Sequence, residues 1–256
     1  KYFKSFKTRR SFLRGAAATA VGVSISKSVN AESKADELIT EIQPWAQEIG
    51  DGVDVVPYGM PIEHESDVIR RNVPWLTADA NSSVNFTPIQ ALDGTITPQG
   101  CAFERHHSGA IDLHKDDYRL MVNGLVDTPL VFSYWDLERF PRVNRVYFCE
   151  CAANTGMEWA GAQLNGAQFT HGMIHNMEYT GVKLKTILQE AGLKSAGHLK
   201  DKWVFVEGAD ASSNGRSIPM SKALDDVLVA FKANGEALRK EHGYPVRLVV
   251  PGWEGN

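Results

Sequence analysis

The residues best able to do chemistry concentrate in one run, Val146-Tyr147-Phe148-Cys149-Glu150-Cys151-Ala152-Ala153-Asn154-Thr155-Gly156. An apolar, β-branched and aromatic stretch that runs into Ala-Ala-Asn-Thr-Gly reads as a strand ending in a turn. Side chains alternate along a strand, so Tyr147, Cys149 and Cys151 share one face while Val146, Phe148 and Glu150 share the other. Cys151 takes the last strand position, where a thiol can face a pocket and offer a soft ligand to a transition metal. The plainer reading makes both cysteines small buried hydrophobes. A second concentration is Phe103-Glu104-Arg105-His106-His107, by itself a surface basic cluster or a weak metal site. Asp210, His242 and Arg247, each taken alone, are loop residues of the kind that form ordinary ion pairs. His171 and His175 stand four apart, as a metal pair on one helix face would, yet Gly172 between them argues against a helix.

The order of these segments carries more than any one of them. Cys151-Ala-Ala-Asn154 after an apolar strand, followed downstream by His242-Gly-Tyr-Pro-Val-Arg247 and Pro251-Gly252, resembles the sulfite oxidase family of molybdopterin oxidoreductases. From about Leu92 to Asn256 the resemblance extends to the sulfane dehydrogenase branch of that family. It implies a molybdenum-molybdopterin cofactor with Cys151 as the protein's ligand to the metal and Cys149 as packing. It also implies that Phe103, Glu104, Arg105, His106, His107, Asp210, His242 and Arg247 bind the cofactor. Arg105 doubles as the cation facing substrate, a task suited to a guanidinium that stays charged and can fork onto an oxyanion. A carboxylate such as Asp210 can accept from the amino-pyrimidine edge, and Arg or His can meet the phosphate. His106 stands where the best-known sulfite oxidases carry Asn.

One departure bears on substrate. Sulfite oxidases carry a catalytic Tyr before Gly-x-Ser-Ile-Pro, whereas this chain reads Asn214-Gly215-Arg216-Ser217-Ile218-Pro219. The phenol is missing and an arginine is added, which places Asn214 and Arg216 in a changed catalytic pocket; a neutral loop exchange is the alternative. The resemblance then implies oxidation of a sulfane sulfur, carried as a persulfide on a cysteine of a carrier protein, with oxygen taken from water. No Cys-x-x-Cys-His haem attachment occurs, so the electrons are expected to pass to a c-type cytochrome on another chain. The rival on the same scaffold is a sulfite:cytochrome c dehydrogenase, and the rival from another class is a cofactor-free binding module.

Around these residues the chain reads as α+β, with strands and helices intermixed and no regular βαβ repeat, as in the sulfite-oxidase-type molybdopterin-binding fold. Thr8-Arg9-Arg10-Ser11-Phe12-Leu13-Arg14, then a weakly apolar run to Ala31, reads as a twin-arginine signal over residues 1–31 and predicts a periplasmic protein exported folded. The run is far short of the roughly 20 residues of a membrane span. Residues 32–91, with five prolines among them, read as an extended arm, helical at most from Lys34 to Ile49. The domain itself is expected over 92–256 and is expected to be cut short, lacking an immunoglobulin-like part through which the protein forms a homodimer. Strands are expected at 117–124, 203–208 and 227–231, and short helices from Ser133 to Phe140 and from Met220 to Leu224. A longer helix over 181–192 is expected from the stripe Leu184, Ile187, Leu188 and Ala191. The segments 96–107 and 117–124 are expected to lead into the core sheet. Three cysteines are too few for a disulfide framework, and a net charge of −4 gives no reason to expect nucleic acid.

Overall fold

The structure is a computed structural model that describes residues 46, 47, 49, 57–194 and 199–256. The expected signal over 1–31 and nearly all of the helix over 34–49 lie outside the described residues. Contacts divide the chain after Val55, and the fold below is that of the second unit.

Three short strands, β1 (Arg71–Asn72), β2 (Val84–Phe86) and β3 (Glu104–Arg105), form an antiparallel sheet in which Arg71 faces Phe86 and Val84 faces Arg105. A hairpin of β4 (Arg119–Val122) and β5 (Leu130–Ser133) follows. Neither the 96–107 segment nor the 117–124 segment joins the central sheet, contrary to expectation. Strand β3 is held by β2 from the arm, and β4 closes on the neighbouring β5, because the closest partners in sequence capture both. Helix α1 (Tyr134–Glu138) begins on a reciprocal capping box between Ser133 and Asp136 and stops two residues before the predicted Phe140.

The central sheet has five antiparallel strands. These are β6 (Val143–Glu150), β7 (Ile174–Lys183), β10 (Leu228–Ala233), β11 (Glu236–Ala237) and β12 (Arg247–Val249), with β6 beside β7, β7 beside β10, and both β11 and β12 on β10. Helix α2 (Ala167–His171) precedes β7 and α3 (Leu184–Glu190) follows it directly. The stripe at 184, 187, 188 and 191 was read correctly, but Gly181-Val182-Lys183 belong to the strand. The hairpin β8 (Trp203–Glu207) and β9 (Gly215–Pro219) leads into α4 (Met220–Ala223). Leu137, Val182, Ile187, Ile218, Phe231 and Val250 meet in the main core, so helices, hairpins and sheet share one apolar centre.

Strand β7 shows why its sequence reads poorly. Its ten residues alternate between buried His175, Met177 and Tyr179 and the less buried Ile174, Asn176 and Glu178, so few apolar side chains advertise it. Gly181 is required there, since a Cβ would meet the Val229 carbonyl oxygen and lie 2.6 Å from Ala230 Cα on β10. Backbone cannot retreat in the middle of a sheet. Gly181→Ala is therefore expected to destabilise the fold by about 3 kcal/mol, read as a lowered urea midpoint, while the same change at open Gly235 leaves far less steric conflict.

Candidate functional site

Strand β6 behaves as its alternation predicts: Cys149 is buried, Val146 and Phe148 are about half exposed, and Cys149 faces His175 across the β6–β7 ladder. The strand ends at Glu150, one residue earlier than predicted, yet the Cys151 N–H still donates to the Met173 carbonyl at 3.0 Å. Cys151 is thus the first residue of the turn, half-buried against a cluster that includes Phe103 and Cys149. The turn is clamped by Asn154. Its amide donates to Glu150 Oε1 at 3.0 Å and its carbonyl oxygen accepts from the Met173 N–H at 3.0 Å. Asn154, part of the Cys-Ala-Ala-Asn motif, is the residue that fixes the direction in which the chain leaves Cys151.

The second half of the site comes from the other side of the sheet. Arg247 on β12 reaches Cys149 Sγ with Nη2 at 3.5 Å, so Cys149 is more than packing. No ion pair among the described residues includes Arg247. His242, 2% exposed, sits at the end of a 3-10 turn with Nε2 at 3.2 Å from the Ala102 carbonyl and 3.1 Å from that of Phe103. His175, 3% exposed, meets the Tyr179 hydroxyl at 2.9 Å through Nε2, and its ring lies 4.9 Å from Phe103 and 5.9 Å from His242 between centroids. The Nδ1 atoms of both histidines are buried with no hydrogen-bond partner. Sequence reasoning set His175 aside because Gly172 spoils a helix there. Helix α2 does stop at His171, and the buried His175 belongs to the strand beyond it.

The remaining candidates fall into two groups. On β3, Glu104 is buried and takes hydrogen bonds from Ser83 and Asn85, and His106 Nε2 lies 3.0 Å from its carboxylate. Arg105 donates to the carbonyls of Ser82 and His106, while His107 is exposed. Phe103 is buried and joins the His175 and His242 cluster through its ring and its carbonyl. Asp210, Asn214 and Arg216 belong to the β8–β9 hairpin and its connecting loop. Asp210 accepts from Ser212 Oγ at 2.8 Å, Asn214 donates to the same hydroxyl at 3.3 Å, and Arg216 donates to the Gly215 carbonyl. The bonds these three make stay within that loop and its flanking strands. The structure therefore brings Phe103, Cys149, His175, His242 and Arg247 together, and among the described residues no hydrogen bond or ion pair joins Asp210, Asn214, Arg216 or His107 to that cluster.

Burial, then the positive charge of Arg247, holds His242 down to about 4 and His175 well below its ordinary value. Burial pushes the Tyr179 hydroxyl up to about 12, and it pushes the Cys149 thiol up against the opposing pull of Arg247. Both histidines titrate near 6.5 once unfolded, so the unfolded chain binds more protons between that value and about 4. Stability is present in full above pH 6.5 and is lost as the pH falls toward 4. His242 alone accounts for roughly 3 kcal/mol of that loss, the free-energy equivalent of its displaced titration. A series of urea midpoints between pH 7 and pH 4 on cofactor-free protein is expected to fall steadily.

This arrangement suits an anionic, heterocyclic ligand. Comparison with known proteins gives the same direction. Residues 107–256 match the family model described as the oxidoreductase molybdopterin binding domain. The chain is 33% identical over 193 residues to human mitochondrial sulfite oxidase, covering 71% of this chain and 35% of that protein. It is 29% identical over 174 residues to an NADH nitrate reductase of Ulva prolifera, covering 64% of this chain and 20% of that one. The crystal structure of the sulfane dehydrogenase SoxCD from Paracoccus pantotrophus is similar with a TM-score of 0.79 and 69% identity, over 86% of this chain and 56% of that chain. The chain thus spans about a third of the length of the sulfite oxidases it matches.

Proposed function

Because the chain belongs to the oxidoreductase molybdopterin binding domain family, we propose that it forms the molybdenum-cofactor part of an enzyme that oxidises sulfane sulfur held as a persulfide on a carrier protein. The observation that carries this reading is the cluster around Arg247. A guanidinium that is partly buried without a carboxylate partner calls for an anion, and two buried imidazole nitrogens without partners call for hydrogen-bonding edges. A phosphate-bearing pterin supplies both, so the residues present fit the group.

The molybdenum cofactor, when bound, would supply oxygen-atom transfer from water to sulfur together with a two-electron sink. The chain's own residues do the rest. Cys151 offers its thiolate to the metal from a turn that Asn154 holds in place. Arg247 and His242 bind the cofactor, and Glu104 orients His106 beside Arg105, whose charge draws an anionic sulfur species toward the metal. Asp210 would accept from the amino-pyrimidine edge and His107 would contact the cofactor only if their loops close on the cluster when it binds, since in this structure Asp210 bonds within its own loop and His107 is exposed. Asn214 and Arg216 replace a phenol with an amide and a cation, which favours a larger, negatively charged carrier-bound substrate over free sulfite.

The electrons leave to a c-type cytochrome on a partner chain. The enzyme works in the periplasm after twin-arginine export and pairs as a homodimer. The likeness to a solved sulfane dehydrogenase supports the substrate, and the identity to human sulfite oxidase favours one rival, a sulfite:cytochrome c dehydrogenase. Steady-state turnover of a carrier persulfide and of free sulfite by the full-length protein, with cytochrome c as acceptor, separates them. The proposal predicts a kcat/KM at least tenfold higher for the carrier, as expected when about 1.4 kcal/mol or more of recognition comes from the carrier. Equal or faster turnover of free sulfite overturns it.

A further inference from the structure

His175 and Tyr179 belong to none of the motifs that identify the family resemblance, yet they stand in the same buried cluster as His242 and Arg247. Their hydrogen bonds fix which nitrogen carries each proton. His242 Nε2 lies 3.2 and 3.1 Å from two backbone carbonyls, which can only accept, so Nε2 bears the proton and Nδ1 presents a lone pair. His175 Nε2 meets the Tyr179 hydroxyl at 2.9 Å. Burial keeps that phenol protonated, and an imidazole lone pair is a better acceptor than a phenolic oxygen, so the hydroxyl donates and the proton of His175 sits on Nδ1. Both rings are neutral at ordinary pH because burial and the nearby guanidinium disfavour the imidazolium form. The pair therefore presents one acceptor and one donor, both buried and both without a protein partner, on rings whose centroids are 5.9 Å apart.

The geometry points to His175 as a further cofactor-binding residue, its Nδ1–H donating to the pterin while His242 Nδ1 accepts from it, with Tyr179 as the positioning residue that sets the tautomer. This rests on the molybdenum-cofactor reading above. A reduced pterin carries ring N–H and amino donors next to carbonyl and ring-nitrogen acceptors, which is the complement such a pair selects. A site built only for phosphate would need donors alone, and the His242 lone pair would then repel it.

The test uses full-length protein expressed in a host that makes the cofactor. Molybdenum and pterin per chain are measured for the native protein, His175→Phe and Tyr179→Phe, together with urea midpoints of the cofactor-free forms. His175→Phe is expected to lower pterin retention about tenfold, one buried hydrogen bond's worth. Its cofactor-free stability should stay close to native, because the unpartnered Nδ1 goes while the buried Tyr179 hydroxyl loses its acceptor. Tyr179→Phe is expected to lower retention about threefold and to abolish the preference for the Nδ1-protonated tautomer seen by 15N NMR. Native loading with unchanged loading in both variants overturns the assignment and leaves the function reading intact, as would His175 found protonated on Nε2. A native protein without pterin overturns both.

Discussion

Cys151→Ser is expected to lower sulfur-oxidising turnover by at least about a thousandfold while leaving the fold in place. The side chain is half-buried at the start of a turn, and serine is close to cysteine in size, so packing changes little. The turn is held by the Asn154 amide and by the backbone bond from Cys151 to Met173, neither of which involves the thiol. What changes is the ligand: a hydroxyl is a far harder and more weakly acidic donor than a thiol, and it does not match a metal already held by sulfur. Removing a group that acts directly on the reacting centre typically costs a factor of about a thousand or more. The check is turnover per chain beside thermal midpoints. Loss of activity with a midpoint within a few degrees of native supports the ligand role, and retained activity contradicts it.

Arg247→Met should separate cofactor binding from folding. In the cofactor-free protein the guanidinium is partly buried with no carboxylate beside it, and its closest polar partner is a thiol at 3.5 Å. An apolar side chain of similar length removes an uncompensated charge, so the cofactor-free fold is expected to be unchanged or more stable by about 1 kcal/mol. The same exchange deletes the charge that meets the cofactor's anionic group, and retention is expected to fall at least about a hundredfold, the scale of a lost charge-assisted bond or two. Arg247 also helps to hold His175 and His242 below their ordinary pKa, so both should rise in the variant and the acid loss of stability should flatten. Urea midpoints at two pH values and molybdenum content check all three expectations. An Arg247→Met protein that loads like native, or that is destabilised at neutral pH, contradicts this account.

Local pattern carried some of this a long way and then stopped for physical reasons. The period-2 alternation from Val146 to Cys151 gave the correct inward face, because one side of β6 is buried and the other is not. The capping box at Ser133 and the stripe of α3 were legible for the same reason, since both are local. Strand β7 was not legible. Its outward positions are polar apart from Ile174, its inward ones include His175 and a glycine, and what makes it a strand is pairing with residues far along the chain. The contact between Arg247 and Cys149 joins residues about a hundred positions apart, so no spacing rule could have found it. His175 carries the same lesson, since its burial and its missing partner exist only in the assembled sheet. Cys149 was read as filling and turned out to touch the cation of the site. Asp210, Asn214 and Arg216 were assigned through resemblance alone, and among the described residues the hydrogen bonds they make stay within their own hairpin.

The most direct test of the central claim is the molybdenum and pterin content of the full-length native protein, purified from a host that makes the cofactor and set beside a control enzyme loaded in the same cells. About one molybdenum and one pterin per chain are expected, since one cysteine ligand and one Arg247 cluster make one site. Neither metal nor pterin, with the control fully loaded, would contradict the account and leave the cluster around Arg247 as the site of a cofactor-free binding module.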